Sequence, residues 1–157
     1  MPTASNARAH ADDLADFVAA SPSSFHAAAE VARRLDDAGF TRLEEGQAWP
    51  SDARGGHYVV RDGAAIAWVV PRSATAATGV RIFGAHTDSP GFKLKPKPTT
   101  GRFGWLQAGV EVYGGPMLNS WLDRELRLAG RLVLDDGRSV LAATGPLLRL
   151  PQLAIHP

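Results

Sequence analysis

Residues 84–98 read "GAHTDSPGFKLKPKP", and residues 79–85, which lead into them, read "GVRIFGA". A short, nearly all-apolar run fits a strand buried on both faces, although periodicity alone also allows a helical segment. The run closes on His86 and Asp88, two residues apart and followed by the turn formers Ser89, Pro90 and Gly91. Open α/β sheets place their sites just past the carboxyl ends of strands, so His86 falls where such a site is expected. A neutral imidazole is a common zinc ligand, and its second ring nitrogen usually needs a carboxylate or carbonyl partner. An aspartate two residues on can supply that partner. Taken alone, the triplet reads first as a surface turn in which Asp88 caps a loop and Thr87 and Ser89 are turn hydroxyls.

Toward the amino terminus the texture is helical. Ala7, Ala11, Leu14, Phe17 and Val18 share one helical face until "SPSS" breaks the run. Ser24 is the expected N-cap of a second helix whose stripe is Phe25, Ala28, Ala32 and Leu35, and Gly39 is its expected stop. From His57 the period changes to that of strands. "HYVVR" and "AAIAWVV" flank Asp62-Gly63, which suits a tight primed hairpin turn. Toward the carboxyl terminus, Pro90, Pro96, Pro98 and Gly101 are expected to interrupt any regular element, which puts a domain boundary near residue 95. "LQAGVEVYGG" is strand-like, and "ELRLAGRLVL", "DDG" and "RSVLAAT" predict a second hairpin turning at Asp136-Gly137. The overall expectation is an α/β fold: two helices, a hairpin and a buried strand, followed by the start of a β-rich domain.

Composition narrows the chemistry. The chain has 157 residues, 45% hydrophobic and 21% charged, enough to bury a core in one ordinary domain. Seventeen Lys and Arg against 16 Asp and Glu give a net charge of +1, so no whole-chain argument favours nucleic acid or an anionic membrane. No apolar run approaches the roughly 20 residues that span a bilayer. The opening "MPTASNARAHADDLADF" lacks the apolar core of a secretory signal, which argues against export. With no cysteine, disulfides and thiolate metal sites are excluded and a cytoplasmic setting is expected, so any metal must be held by His and carboxylate. Ser89 is in no G-x-S-x-G elbow, and no H-E-x-x-H occurs.

Four stretches, "SPSSFHAAAEVARRLDDAGF", "GAHTDSPGFKLKPKP", "VEVYGGPMLNSWLDRELRLAGRL" and "LPQLAIH", stand in the order seen in the aspartyl aminopeptidase family. From about Leu14 to its end the chain resembles the amino-terminal part of such a cytoplasmic zinc metallopeptidase. The resemblance implies an α/β catalytic domain with two zinc ions at the carboxyl ends of its strands. It also implies an inserted β-rich domain that mediates contacts between identical subunits. Residues 1–95 would then belong to the catalytic domain, and residues 96–157 would open the inserted one. The "HTDSP" histidine is a zinc ligand in that family, which assigns His86 to metal, and its aspartate, here Asp88, orients a ligand or the site. The histidine of "LAIH" maps onto His156, either metal-associated or reaching a neighbouring subunit's site; its plainer reading is a histidine at an exposed chain end. Trp121, Asp123 and Arg124 look like an oligomer-contact or substrate-side segment by the same resemblance.

His10, His26 and His57 are read as solvated, first-turn and strand-edge residues. Lys93, Lys95 and Lys97 alternate as on a solvated face, and Gly114-Gly115 suits a tight turn. The departure from the family decides more. A two-metal peptidase needs several ligands, a bridging carboxylate and a general base. Nothing after Asp88 reproduces the family's paired-glutamate motif, and Glu44-Glu45 precedes the metal motif in an expected loop. Two readings follow. One is a zinc aminopeptidase that removes an amino-terminal residue, acidic ones included, from peptides, present here as a truncated portion inactive by itself. The other is a non-catalytic remnant kept as an oligomerisation or interaction module.

Overall fold

The computed structural model describes residues 4–52 and 54–153. It contains helices α1 (Ala4–Ala20) and α2 (Ser24–Asp37) and strands β1 (Thr41–Arg42), β2 (Gly55–Arg61) and β3 (Ala64–Val70). These are followed by β4 (Gly91–Arg102), β5 (Trp105–Tyr113), β6 (Ala129–Val133) and β7 (Ser139–Ala143). They form two compact units. The first runs up to Asp88 and includes Ala129–Ala143; the second comprises Ser89–Leu128 and the chain from Thr144 onward. Among the described residues no helix is long and apolar enough to cross a membrane.

In the first unit the cap of α2 falls one residue earlier than the sequence suggested. Ser23 is the extended N-cap residue, at φ −147° and ψ 165°, and its hydroxyl accepts from the His26 N–H. The same hydroxyl lies 2.8 Å from His26 Nδ1, so this first-turn histidine belongs to the cap. At the other end Gly39 takes φ 78°, its N–H donates to Asp36 and the Phe40 N–H donates to Leu35. Both bonds satisfy carbonyls that the helix would otherwise leave open, and only glycine meets the left-handed turn without strain.

That turn delivers the chain into β1, which pairs in parallel with β2, while β2 pairs antiparallel with β3. Arg61 opposes Ala64 across the two-residue loop Asp62-Gly63, as the sequence predicted, with Asp62 at φ 52°. A Cβ on Gly63 would come within 2.6 Å of Ser24 Oγ, so the glycine lets the turn approach the start of α2. The core is small: Ala27, Ala28 and Ala32 of α2 with Leu43, Tyr58 and Val59. Small helix residues let the sheet approach closely. The Tyr58 hydroxyl donates to Asp36 Oδ1 at 2.6 Å, and burial, more than that carboxylate, pushes the phenol pKa up.

His57, read from the sequence as an edge residue, is buried in the central strand, 6% exposed. It stacks on its cross-strand neighbour Trp68, which in turn stacks on Trp49. The second hairpin also forms as expected: Val133 opposes Ser139, and Gly137 takes φ 82° in the turn. Arg131 of β6 pairs with Asp62 and lies 4.5 Å from the centre of the Phe25 ring. The α1 stripe stays on the surface, with Leu14 and Val18 exposed. Asp13 instead takes Arg34 at 2.8 and 2.9 Å.

Two further expectations need correction. Residues 79–85 form no strand: Val80, Ile82 and Phe83 are 82%, 87% and 95% exposed, and no described strand pairs with the run. An all-apolar strand is stable only between flanking strands and covering layers, and the described residues provide neither. Conversely, the proline-rich stretch is a strand. β4 runs through Pro96 and Pro98 against β5, with register Leu94↔Val110 then Thr99↔Ala108. Residues 95–98 thus face Gly109 alone as a wide irregularity, and a two-stranded ladder leaves its outer edges unpaired, where prolines forfeit no bond. The rest of the second unit packs Phe92 edge-on to Trp121, with ring centres 5.1 Å apart. Residues 122–126 meet residues 148–150 through the bridges Leu122↔Leu150 and Leu126↔Leu148.

Candidate functional site

His86 and Asp88 lie in an irregular loop, not at the end of a paired strand. The loop is tied to the β2–β3 hairpin by Thr87, whose hydroxyl donates to the Gly63 carbonyl at 2.5 Å. The sequence offered Thr87 only as a turn hydroxyl; its partner lies 24 residues away, beyond the reach of local pattern. Fixing Thr87 fixes the residues on either side of it.

The His86 ring is 78% exposed, and its Nδ1 lies 2.6 Å from the main-chain oxygen of Asp88. A carbonyl can only accept, so this contact requires the proton on Nδ1 and leaves the Nε2 lone pair directed away from it. The Asp88 carboxylate stands farther off, with Oδ1 3.8 Å from Nδ1. The orienting contact that the sequence suggested for the aspartate side chain is therefore made here by its backbone. A histidine held through one nitrogen by a carbonyl is prepared to offer the other to a metal. The fit is that of one ligand: among the described residues no group of three or more His, Asp or Glu side chains converges on a common point. His156 lies outside the described residues.

The remaining acidic candidates are engaged elsewhere. Glu44 pairs with Arg42 at 3.1 Å and Glu45 with Arg61 at 2.6 Å. Glu30, on α2, accepts from Arg33 and Arg34 at 2.7 and 2.8 Å. Those bonds, Arg33 first, hold its carboxyl down at about 2. This is an ion-pair network on a helix face.

The first unit thus combines two helices, a small mixed sheet and a histidine presented from a loop. The family model described as "Aminopeptidase I zinc metalloprotease (M18)" matches residues 17–157, and the chain belongs to that family. A probable M18 family aminopeptidase 2 of Streptomyces avermitilis is 58% identical over 150 residues, covering 95% of this chain and 34% of the relative. The Mycobacterium leprae protein of the same name is 44% identical over 155 residues, covering 94% and 36%. Among solved structures, an M18 family aminopeptidase of Thermotoga maritima superposes with a TM-score of 0.83 at 25% identity, covering 98% of this chain and 35% of that one. The S. cerevisiae mApe1 dodecamer superposes with a TM-score of 0.81 at 31% identity, covering 91% and 35%. The chain thus spans about a third of the length of the relatives it matches.

Proposed function

We propose that this chain is the amino-terminal portion of a zinc-dependent aminopeptidase, to whose site it contributes one metal ligand, His86. The observation that carries the reading is the 2.6 Å contact of His86 Nδ1 with the Asp88 carbonyl, which leaves Nε2 as the metal-facing nitrogen on an exposed ring. On this reading residues 1–95 belong to the catalytic domain, and residues 96–157 begin an inserted β-rich domain that carries contacts between identical subunits. The dodecameric state of the mApe1 relative supports that second part. Zinc, when bound, supplies Lewis-acid chemistry, polarising a peptide carbonyl and easing the ionisation of water.

The chain's own residues have narrower tasks. Thr87 pins the loop, the Asp88 backbone sets the tautomer and ring direction of His86, and Asp88 shapes the turn between them. His156 serves across a subunit contact. The substrates are peptides with a free amino terminus, acidic residues among those removed. The bridging carboxylate and the general base come from polypeptide beyond the residues that this chain shares with its relatives.

The test joins this chain to the carboxyl-terminal portion of its Streptomyces relative and assays release of amino-terminal Asp, Glu and Leu with added zinc. Turnover that appears only in the joined protein, and disappears with His86→Ala, supports the proposal. Turnover unaffected by His86→Ala refutes the ligand assignment.

A further inference from the structure

The turn that tethers the His86 loop is itself held by groups distant in sequence. Its Gly63 carbonyl accepts the Thr87 hydroxyl at 2.5 Å, one residue from His86. Its Gly63 backbone lies so close to Ser24 that a Cβ would meet Ser24 Oγ at 2.6 Å. Its Asp62 carboxylate takes the guanidinium of Arg131, 69 residues further along the chain. Arg131 stands in β6, and the β6–β7 hairpin belongs to the same compact unit as the turn. That guanidinium also lies 4.5 Å from the centre of the Phe25 ring on α2, and its side chain is only 33% exposed. A solitary surface ion pair contributes little, because two long side chains must be ordered to make it. Here the Phe25 face restrains the guanidinium, and the turn, with Asp62 at φ 52°, restrains the carboxylate. Asp62 and Gly63 are the whole of a two-residue loop, so a shift of one carries the other with it.

We propose that Arg131 is a positioning residue for His86, acting through Asp62, the Gly63 carbonyl and Thr87. It touches neither metal nor substrate; it fixes the turn from which the histidine loop is hung. Its role rests on that given above to His86 as a metal ligand. Three substitutions isolate the route. Arg131→Met keeps an unbranched stem beside Phe25 and removes the charge. Asp62→Asn also removes charge, and asparagine tolerates the positive φ. Thr87→Val removes the hydroxyl at nearly constant shape.

Zinc affinity, by competition with a chelating dye, and the urea midpoint are measured in the joined protein, together with kcat and KM. Arg131→Met and Asp62→Asn should each weaken zinc binding roughly three- to tenfold, the range set by loss of one hydrogen bond. Both should lower kcat with KM nearly unchanged, and the double substitution should be no worse than either alone. In a Thr87→Val background, Arg131→Met should weaken zinc binding no further. A lowered urea midpoint with unchanged zinc affinity would overturn the positioning role and leave the pair merely structural. Full additivity of Arg131→Met and Thr87→Val in zinc binding would overturn the route. A joined wild-type protein that neither binds zinc nor cleaves peptides would instead refute the ligand role of His86. The tie between hairpin and loop is then judged by urea unfolding: Arg131→Met should shift the midpoint less than half as far in Thr87→Val as in wild type, and an equal shift would overturn it.

Discussion

At His86, main chain does what a side chain was expected to do. The ring is oriented by the Asp88 carbonyl at 2.6 Å, a contact that survives changes of the side chain that carries it. Asp88→Asn should therefore weaken zinc binding to this chain by less than about threefold, whereas His86→Ala should abolish it; equal losses in calorimetric titration would restore the carboxylate to the leading part. Zinc affinity should be weak even in the native chain, because one histidine is far from a complete ligand set. Glu30 supplies a second test at this scale. Its carboxyl is held at about 2 by Arg33 and then Arg34, below the 4.5 expected for the free residue. A depressed folded value means that the pair's contribution is present above about pH 4.5 and is lost as pH falls toward 2. After discounting for solvent screening it is roughly 1–2 kcal/mol. Thermal melts should fall over that window, and Glu30→Gln should flatten the fall; an unchanged slope would show that the network adds nothing.

Among the elements, β2 is the strand closed on both faces. Tyr58 turns toward α2 and its Asp36, while His57 lies against Trp68. Tyr58→Phe keeps the packing but deprives Asp36 of its donor, so a loss of about 1–2 kcal/mol is expected in urea unfolding. No measurable loss would mean that water replaces the hydroxyl without cost. The elements also show what the sequence made legible. Two of the three hairpins among the described residues could be read because their turn residues, Asp62-Gly63 and Asp136-Gly137, lie within the pattern that announces them. The α2 cap slipped by one because Ser23 and Ser24 are chemically alike, and only backbone geometry chooses between them. β4 was hidden because prolines veto a ladder only where an N–H is needed, and which edge is unpaired is a property of the sheet. His57 and the run at 79–85 failed in opposite directions for one reason. Burial depends on what packs from elsewhere: the Trp49–Trp68 stack covers His57, and no described element covers Phe83. The His86–Asp88 pair was legible as a motif, but the backbone contact and the Thr87–Gly63 tether were not.

For the molecule as a whole, the exposed apolar surface is the governing fact. Val80, Ile82 and Phe83 stand open in one stretch, and Phe103, Trp105 and Leu106 crown the β4–β5 turn at 86%, 72% and 97% exposure. Leu147 and Leu153 add to this near the end of the described residues. Large apolar side chains left open in this number mark interfaces, or else drive association when the interfaces are unfilled. Among the described residues, the core that must offset chain entropy is confined to six apolar residues of the first unit. The 157-residue chain by itself should therefore be poorly soluble or self-associating, and should release no amino-terminal residue from any peptide even with zinc present. Light scattering and a peptide-release assay on the purified chain check both halves. Adding the carboxyl-terminal portion of a relative as a separate polypeptide should lower the scattering and bring turnover into being together. Aggregation relieved by Phe83→Ser and Ile82→Ser, with turnover no longer recoverable by the added portion, would tie the two effects to that surface. A soluble monomer that hydrolyses peptides unaided would break the link, and with it the reading of this chain as one part of a larger enzyme.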